Sequence, residues 1–420
     1  MVVTGVLAGS GVAHAQAQLT LEQTVGLTLE RDERARIADQ ELRAAEAQTA
    51  RARAFFFPDV TASGSYTFRG NPGEFQDRNV LTGALTLNVT LLDLRGVPLY
   101  RTAALQRDAQ RLERVETRRL LAFEAADAYL ATLGQQAVVE AAQHRVDFAR
   151  ENLADARGRV AAQLASSNDV TRAELEAATA ERELRRAEGD LEASRLALGW
   201  LLATEVSGPL AQPDALLSAA VSPAGDPAVL VTEAQARRLD LAAGQNRVQA
   251  AHAFAREPLQ RWWPTFNLTG QTRYSSEAGI SGQNTDWFVG VNAVWLLWDG
   301  GERSADRSER LAQAEVSELR LQQQARSVAL QVRTALSALE RARGTVAQAE
   351  AAVVAARRNV EETRTLYKQG LARALEVSDA SARLFEAEVA LARERYGLAL
   401  AMLDLRAALG LDPAGQEVRS

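Results

Sequence analysis

The 420-residue sequence lacks cysteine altogether, has few aromatic residues and carries no long apolar run. Without cysteine the chain can have no disulfide framework and no thiolate metal site, and we expect no lipid-anchored N-terminal cysteine. The net charge of −6, with no strongly basic block, argues against nucleic acid as a partner. Outside the N-terminus no stretch reaches the ~20 apolar residues of a membrane-spanning helix, so a membrane crossing would need β-strands.

The residue types that carry catalysis are scarce and isolated. The three histidines, His14, His144 and His252, have no nucleophile or acid directly beside them. No glycine-rich phosphate-binding loop occurs, and no serine or aspartate has a base positioned next to it in the sequence. We therefore expect no catalytic residue, no metal site and no cofactor.

The first residues have the pattern of an export signal. Residues 2–12 are apolar and small, and Ala13-His14-Ala15-Gln16-Ala17 follows them as an A-x-A cleavage site. The basic segment that normally opens such a peptide is missing, so we expect the true start to lie upstream. The alternative is a short buried N-terminal segment.

Two copies of one heptad pattern run through the chain. The first copy has apolar positions Val139, Ala142, Val146, Ala149, Leu153, Ala156 and Val160, and the second has Val346, Ala349, Val353, Ala356, Val360, Thr363 and Tyr367. Corresponding positions lie 207 residues apart, and the same spacing joins Val170 to Val377. The chain is therefore a tandem duplication. The seven-residue period predicts helices that pack as coiled coils, and the absence of proline between Pro98 and Gln163 predicts that they are unusually long.

Each copy also contains two segments in which apolar and polar residues alternate, as in amphipathic strands. The apolar sets are Val60, Ala62, Gly64, Tyr66 and Phe68; Leu81, Gly83, Leu85, Leu87 and Val89; Phe266, Leu268, Gly270 and Tyr274; and Trp287, Val289, Val291, Ala293 and Trp295. Each segment has about ten residues, the length that crosses a bilayer at a tilt. Polar stretches at 70–79 and 275–286 are typical of exposed loops.

A half-buried sheet in a soluble protein would give nearly the same strand pattern. Three observations favour a membrane barrel. Aromatic residues stand near the strand ends, as in interfacial girdles; four strands are too few to close a barrel from one chain; and an export signal precedes them.

Each strand pair leads into a junction that contains an aspartate and glycine. The junctions read Leu91-Leu92-Asp93-Leu94-Arg95-Gly96 and Leu296-Leu297-Trp298-Asp299-Gly300-Gly301. Aspartate can cap the following helix and glycine permits an abrupt turn. The second junction resembles the LFDGG signature of the TolC family of outer-membrane efflux and secretion channels. The order of elements in each copy (helix, proline, two strands, helix, turn, helix) is similar too, over nearly all of the mature chain.

The resemblance implies an α+β membrane protein of the bacterial cell outer membrane. Three protomers, each giving four transmembrane strands, would form a twelve-stranded β-barrel, and their helices a long antiparallel coiled-coil barrel in the periplasm. The implied function is a passive exit duct of a tripartite efflux pump or a type I secretion system. Implied partners are the homotrimer itself, a periplasmic adaptor (membrane fusion) protein, an inner-membrane pump of the RND, ABC or MFS class, and outer-membrane lipid. The cargo stays open among drugs, metal ions and proteins. The alternative is a soluble periplasmic coiled-coil scaffold without channel activity.

The turns between the long helices would form a closed periplasmic tip. By resemblance, the gate residues are Asp169, Tyr367, Glu376 and Asp379, and the turns that would contact the adaptor include Gln163, Leu164, Ala165, Gly370, Leu371, Ala372 and Arg373. Two positions depart from the family pattern: Ala372 stands where an arginine is common, with Arg373 one position later, and Gln163 stands where a glycine is common. Threefold repetition of Glu376 and Asp379 would favour cations at a narrow opening. Alternatively, both acids merely begin a solvated helix, where they favour the helix dipole.

These observations predict the following boundaries. We place the signal peptide at 1–17, the first repeat at 18–210, a linker at 211–227, the second repeat at 228–412 and a C-terminal tail at 413–420. The first repeat should have strands at about 59–69 and 80–92 and helices at about 21–54, 96–163 and 169–204. The second should have strands at about 265–275 and 287–298 and helices at about 228–257, 301–369 and 376–409.

Overall fold

The computed structural model describes residues 18–73, 76–223, 225–278 and 282–418. The predicted signal peptide lies outside these ranges, as do residues 74–75 and 279–281 of the two predicted loops and the last two residues of the predicted tail. Within the described residues the chain forms ten helices and four strands.

In chain order the elements are α1 (Leu21–Arg31), α2 (Glu33–Ala54), β1 (Asp59–Phe68), β2 (Asn79–Leu92), α3 (Gly96–Ala161), α4 (Ser167–Leu202), α5 (Asp214–Val221), α6 (Pro227–Arg237), α7 (Leu239–Ala255), α8 (Glu257–Gln260), β3 (Thr265–Ser275), β4 (Thr285–Val294), α9 (Glu302–Lys368) and α10 (Ala374–Ala408). Among the helices of the described residues, none combines the length and the apolar character needed to cross a membrane.

The two longest helices, α3 and α9, have 66 and 67 residues. Their heptad positions are packing surfaces, since the buried residues include Ala142, Val146, Ala149 and Ala156 in α3 and Val353, Val360 and Tyr367 in α9. The many alanines along these seams let neighbouring helices approach closely.

The helix predicted at 21–54 is in fact two helices, α1 and α2, separated at Asp32. Asp32 has an extended backbone, and its carboxylate accepts a hydrogen bond of 2.8 Å from the backbone N–H of Arg34. An aspartate in this position caps the N-terminus of the next helix. The prediction of one continuous helix was wrong, because the residues on both sides of Asp32 favour a helix and the capping role of Asp32 was overlooked.

The second copy is interrupted at the corresponding place. The helix predicted at 228–257 divides at Arg238, whose backbone is extended, so that α6 ends there and α7 follows. The predicted linker at 211–227 also contains a helix, α5, whose Leu216 belongs to the apolar core. With eight residues, α5 is too short to show a heptad pattern.

The four strands form one antiparallel sheet in the order β1-β2-β3-β4, so β1 and β4 are its edges. β4 ends at Val294, although the sequence predicted a strand as far as residue 298. Its partner β3 begins at Thr265, which pairs with Val294 and directly follows Pro264. Proline has no N–H to extend the ladder, so the pairing stops there.

The chain divides into two compact units. The sheet unit comprises Ile37–Glu116 and Leu239–Arg326 and contains all four strands. The bundle unit comprises residues 18–36, 117–238 and 327–418, and its apolar core includes Tyr129, Leu130, Leu198, Leu202 and Leu403. The Tyr129 hydroxyl lies 2.8 Å from the Leu19 carbonyl oxygen and 2.5 Å from that of Ala211, which attaches the segments before α1 and after α4 to this core.

Candidate functional site

All four strands turn most of their apolar residues to one face of the sheet. Val60 pairs with Leu87, Leu87 with Gly270, and Gly270 with Val289. Directly opposed residues of neighbouring strands lie on the same face of a sheet, so these four residues share one face. The large side chains on it are exposed, among them Tyr66, Leu81, Leu85, Trp287, Val289 and Val291. An exposed apolar surface of this extent marks contact with a membrane or with another protein.

The opposite face of the sheet is mainly polar and hydrogen-bonded, although Phe288 and Val294 of β4 also lie on it. The hydroxyl oxygens of Ser65 and Thr82 lie 2.8 Å apart, and the side-chain amide of Gln271 donates to the Thr86 hydroxyl at 3.0 Å. Further along the same face, the Thr269 hydroxyl donates to the side-chain oxygen of Asn88 at 3.2 Å. Hydroxyl and amide groups of this kind suit contact with water.

The two loops that connect the strands are joined to each other by Glu277. Its carboxylate forms an ion pair of 2.9 Å with Arg69 and accepts a hydrogen bond of 3.1 Å from the backbone N–H of Asp77. The Arg69 hydrogen bonds, followed by that of Asp77, lower the pKa of Glu277 below its usual value. The acid therefore stays charged and holds the two strand ends together.

The predicted junction residues of the first copy surround the start of α3. Asp93 accepts hydrogen bonds from the Arg95 backbone N–H at 3.0 Å and from its guanidinium at 2.5 Å. Burial alone would raise the pKa of Asp93, but the hydrogen bonds and charge of Arg95 outweigh it and lower the pKa. Glycine is needed at Gly96 because a Cβ would lie 2.4 Å from the ring of Phe55.

The junction of the second copy also turns the chain from strand into helix, but it does so with a capping aspartate and two glycines of positive φ. Asp299 accepts hydrogen bonds from the backbone N–H of Gly301 at 3.1 Å and of Arg303 at 3.0 Å, which caps α9. Gly300 and Gly301 have φ values of 69° and 97°, in the region that favours glycine. The buried Arg303 guanidinium lies over the Trp262 ring, 4.0 Å from its centroid.

We call the turn at 162–166, between α3 and α4, the first tip turn, and the turn at 369–373, between α9 and α10, the second tip turn. Both close with the same backbone hydrogen bonds. The Leu164 N–H donates to the Arg159 carbonyl and the Leu371 N–H to the Leu366 carbonyl, each at 2.8 Å. This is the pattern of a helix that ends in a left-handed residue, here Gln163 with φ 59° and Gly370 with φ 79°. Both leucines are exposed, at 71% and 73%.

Tyr367 and Arg159 join the two helical hairpins next to these turns. The Arg159 guanidinium carbon lies 4.7 Å from the centroid of the Tyr367 ring, and its Nη1 donates a hydrogen bond to the Tyr367 carbonyl oxygen. Tyr367 is 5% exposed. Burial raises the pKa of Tyr367; the charges of Asp169 and Asp155 add to this, while that of Arg159 opposes it.

Glu176 on α4 forms a second connection between the hairpins. Its carboxylate accepts hydrogen bonds from Arg145 on α3 at 2.9 Å and from the Ser378 hydroxyl on α10 at 2.7 Å. A third connection is the ion pair of 2.7 Å between Arg364 on α9 and Glu151 on α3. Three separate polar contacts therefore hold hairpin α3–α4 against hairpin α9–α10.

The remaining predicted gate acids point to solvent. Glu376 and Asp379 lie in the first two turns of α10 and are exposed. Asp379 forms an ion pair of 2.9 Å with Arg383, one turn further along the helix. Arg373 precedes α10 at its N-cap, where its side chain makes no capping hydrogen bond.

The structure thus brings Asp169 close enough to Tyr367 to contribute to its raised pKa, and leaves Glu376 and Asp379 exposed on α10. Sequence reasoning missed Arg159, Arg145, Glu176 and Ser378. No signal in a single sequence could have found them, because each contacts a residue on another helix and two of the contacts join the two copies. The cation that lies against Tyr367, Arg159, comes from the first hairpin. Among the described residues no group of three or more His, Asp or Glu could hold a metal ion.

The sequence matches the family described as Outer membrane efflux protein over residues 24–204 and 230–411, once in each copy. It is 28% identical to Outer membrane protein TolC of Vibrio cholerae serotype O1 over 188 residues, which cover 43% of this chain and only 43% of that protein. It is 26% identical to Nodulation protein T of Rhizobium leguminosarum bv. trifolii over 386 residues, covering 87% of this chain and 80% of that protein.

The fold is similar to that of solved outer-membrane proteins. A crystal structure of CusC, a protein for which transmembrane channel formation is described, superposes with a TM-score of 0.81 at 18% identity and covers 93% of this chain and 92% of that one. This likeness confirms the predicted combination of long helices and a small sheet. The matched family is described as outer membrane efflux proteins, and further solved structures of similar fold, OprN and MtrE of Neisseria gonorrhoeae, are described as outer-membrane channels rather than as enzymes. With both copies matched, the chain belongs to the outer membrane efflux protein family.

Proposed function

We propose that three copies of this protein assemble into the passive exit duct of a tripartite efflux pump or a type I secretion system. The observation that carries this proposal is the sheet, in which the described residues leave the outer edges of β1 and β4 unpaired and which has one mainly apolar and one mainly polar face.

The edges of the sheet support a closed trimer. Within the described residues β1 and β4 each pair with one strand only. Exposed edges of ten-residue strands invite pairing with another chain. Four strands are too few to close on themselves, whereas twelve make a barrel wide enough for a water-filled pore. Pairing of β1 with β4 of the next copy, repeated three times, closes every edge.

The faces of the sheet support a membrane position for that barrel. An outer-membrane barrel is apolar towards lipid and polar towards its lumen. The face with Trp287 and Val289 fits the lipid side, and the face with Thr86 and Gln271 fits the lumen. A soluble scaffold would have to cover the apolar face, yet Trp287 remains 77% exposed.

The exposed tip turns are consistent with docking of an adaptor, the next part of the proposal. Each repeat, 18–210 and 228–412, supplies one hairpin whose tip turn exposes a leucine, Leu164 or Leu371. These leucines, with Gln163, Ala165, Gly370, Ala372 and Arg373, form the proposed docking surface for a periplasmic adaptor, which would couple the duct to an inner-membrane pump.

The contacts between the hairpins form the proposed gate. Opening the tip would separate α9–α10 from α3–α4 and would break the Arg159–Tyr367 contact beside Asp169. Glu376 and Asp379, repeated three times, would line the entrance with carboxylates and favour cations.

Fractionation and conductance test the proposal together. The full chain, expressed with its export signal, should appear in outer-membrane fractions as a detergent-solubilised trimer and should produce discrete conductance steps in planar lipid bilayers. A protein that is soluble without detergent and silent in bilayers would contradict the proposal and would favour the scaffold alternative.

A further inference from the structure

A small cavity of about 10 Å³ lies between the two hairpins, behind the tip turns. It is lined by residues of α3, α4, α9 and α10, namely Asn152, Ala156, Arg172, Ala173, Glu176, Tyr367, Ala374 and Ser378. A cavity of this volume holds about one water molecule, provided that the water finds two to four polar partners.

Tyr367 supplies the first of these partners. Its side chain is 95% buried, and its hydroxyl has no hydrogen-bond partner among the described residues. Asp169 and Asp155 influence the Tyr367 phenol through charge alone, with no hydrogen bond. A buried hydroxyl without a partner is costly, and buried polar groups in native proteins are nearly always paired with protein or ordered water.

The opposite wall supplies further partners. Two hydrogen bonds already reach Glu176, from Arg145 and from Ser378, but a carboxylate offers about four acceptor sites. Asn152 adds an amide that can donate or accept. Polar groups from α3, α4 and α9 therefore meet around a space of one water.

We propose that this cavity is a binding site for a single ordered water, which accepts a hydrogen bond from the Tyr367 hydroxyl and donates to the Glu176 carboxylate. The water joins Tyr367 on α9 to the cluster of Arg145, Glu176 and Ser378. It thereby adds a contact between the two hairpins beside the hydrogen bond from Ser378 to Glu176. The site depends only on the packing of this bundle and not on the proposed channel function.

A map of the full chain at ~2 Å or better tests the site directly. We expect one solvent peak within about 2.6–3.2 Å of the Tyr367 hydroxyl and of a Glu176 or Asn152 oxygen. An empty cavity, or a Tyr367 hydroxyl bonded directly to a protein atom, would overturn the proposal.

Variants that fill the cavity give a second test. Ala173→Val should displace the water and leave the Tyr367 hydroxyl without a partner, so it should lower the thermal unfolding midpoint of the purified full chain. The Tyr367→Phe variant has no hydroxyl that could lose its hydrogen-bond partner. In that background Ala173→Val should therefore lower the midpoint by much less. Equal losses in the two backgrounds would show that the valine acts by crowding alone, and would contradict the water site.

Discussion

Arg159 on α3 lies over the ring of Tyr367 on α9 and also donates a hydrogen bond to that residue's carbonyl oxygen. One side chain of the first copy thus contacts both the ring and the backbone of the residue that ends the heptad seam of the second copy. This contact connects the duplicated sequence to the proposed gate, because the two hairpins cannot separate at the tip without breaking it.

Arg159→Ala removes both interactions and should favour the open tip. A cation–π contact and a hydrogen bond from a charged donor together contribute ~2 kcal/mol, so we expect higher basal conductance in planar bilayers. Arg157→Ala is the matched control, since it removes only the exposed ion pair with Glu174 on the same hairpin, and such pairs contribute little. If Arg159→Ala and the unmodified protein conduct alike, this contact has no part in closure.

The two tip turns allow a reciprocal test of backbone strain. Gln163 has a left-handed backbone, which costs a non-glycine residue ~1 kcal/mol, so Gln163→Gly should raise the thermal unfolding midpoint slightly. Gly370→Ala should lower it, because φ is 79° and the nearest atom to a Cβ is 3.8 Å away, which leaves backbone strain as the cost. Shifts in the same direction for both variants would contradict the equivalence of the turns.

The acids of α10 should set ion selectivity. Glu376→Ala combined with Asp379→Ala should reduce the preference for cations, measured as a reversal potential across a salt gradient. Arg383→Ala should increase that preference, because it removes the cation that pairs with Asp379. Unchanged selectivity in the double variant would show that Glu376 and Asp379 do not control ion selectivity.

Asp127 on α3 should make stability depend on pH. Desolvation by the surrounding helices, and then repulsion from Asp404 and Glu124, raises the pKa of the solvent-accessible Asp127 from 3.8 to about 6. The folded state therefore binds the Asp127 proton more tightly than the unfolded state does. The free energy of unfolding that this proton contributes is fully present below the unfolded pKa of 3.8 and is lost as pH rises through about 6. Asp127→Asn should raise the unfolding midpoint at pH ~8 but not at pH ~4.

Asp190→Asn, at an exposed position on α4, is the control for that comparison. A midpoint that rises equally at both pH values, or equally in the control, would mean that the titration of Asp127 does not limit stability.

Much of the fold could be predicted because its signals are local. Alternation over ten residues defines a strand such as β1, and seven-residue spacing defines the seams of α3 and α9. Because corresponding positions of the two copies lie 207 residues apart, an element predicted in one copy can be checked against its counterpart in the other. The break at Asp32 was not predicted, because the flanking residues favour a helix. Helix α5 was not predicted, because its eight residues are too few to show a clear period.

The gate was predictable only in part, and for a physical reason. Tyr367 and Asp169 lie beside turns that can be located in the sequence. The contact of Tyr367 with Arg159 depends on how the hairpins pack, since the two residues lie 208 positions apart in the sequence. Contacts at that separation depend on the relative position of helices, which no local pattern encodes.

The central claim is that β1 of one protomer pairs with β4 of the next, and introduced cysteines test it most directly because the chain has none of its own. Ser63→Cys on β1 should be combined in turn with Gly290→Cys and Asn292→Cys on β4, all on the polar face. Ser65→Cys with Thr82→Cys is the control, since these neighbours lie within one sheet and should form a disulfide inside the monomer. At least one test pair should oxidise to covalent dimers and trimers in the outer membrane. Monomers from every test pair, alongside a control that closes, would contradict the claim.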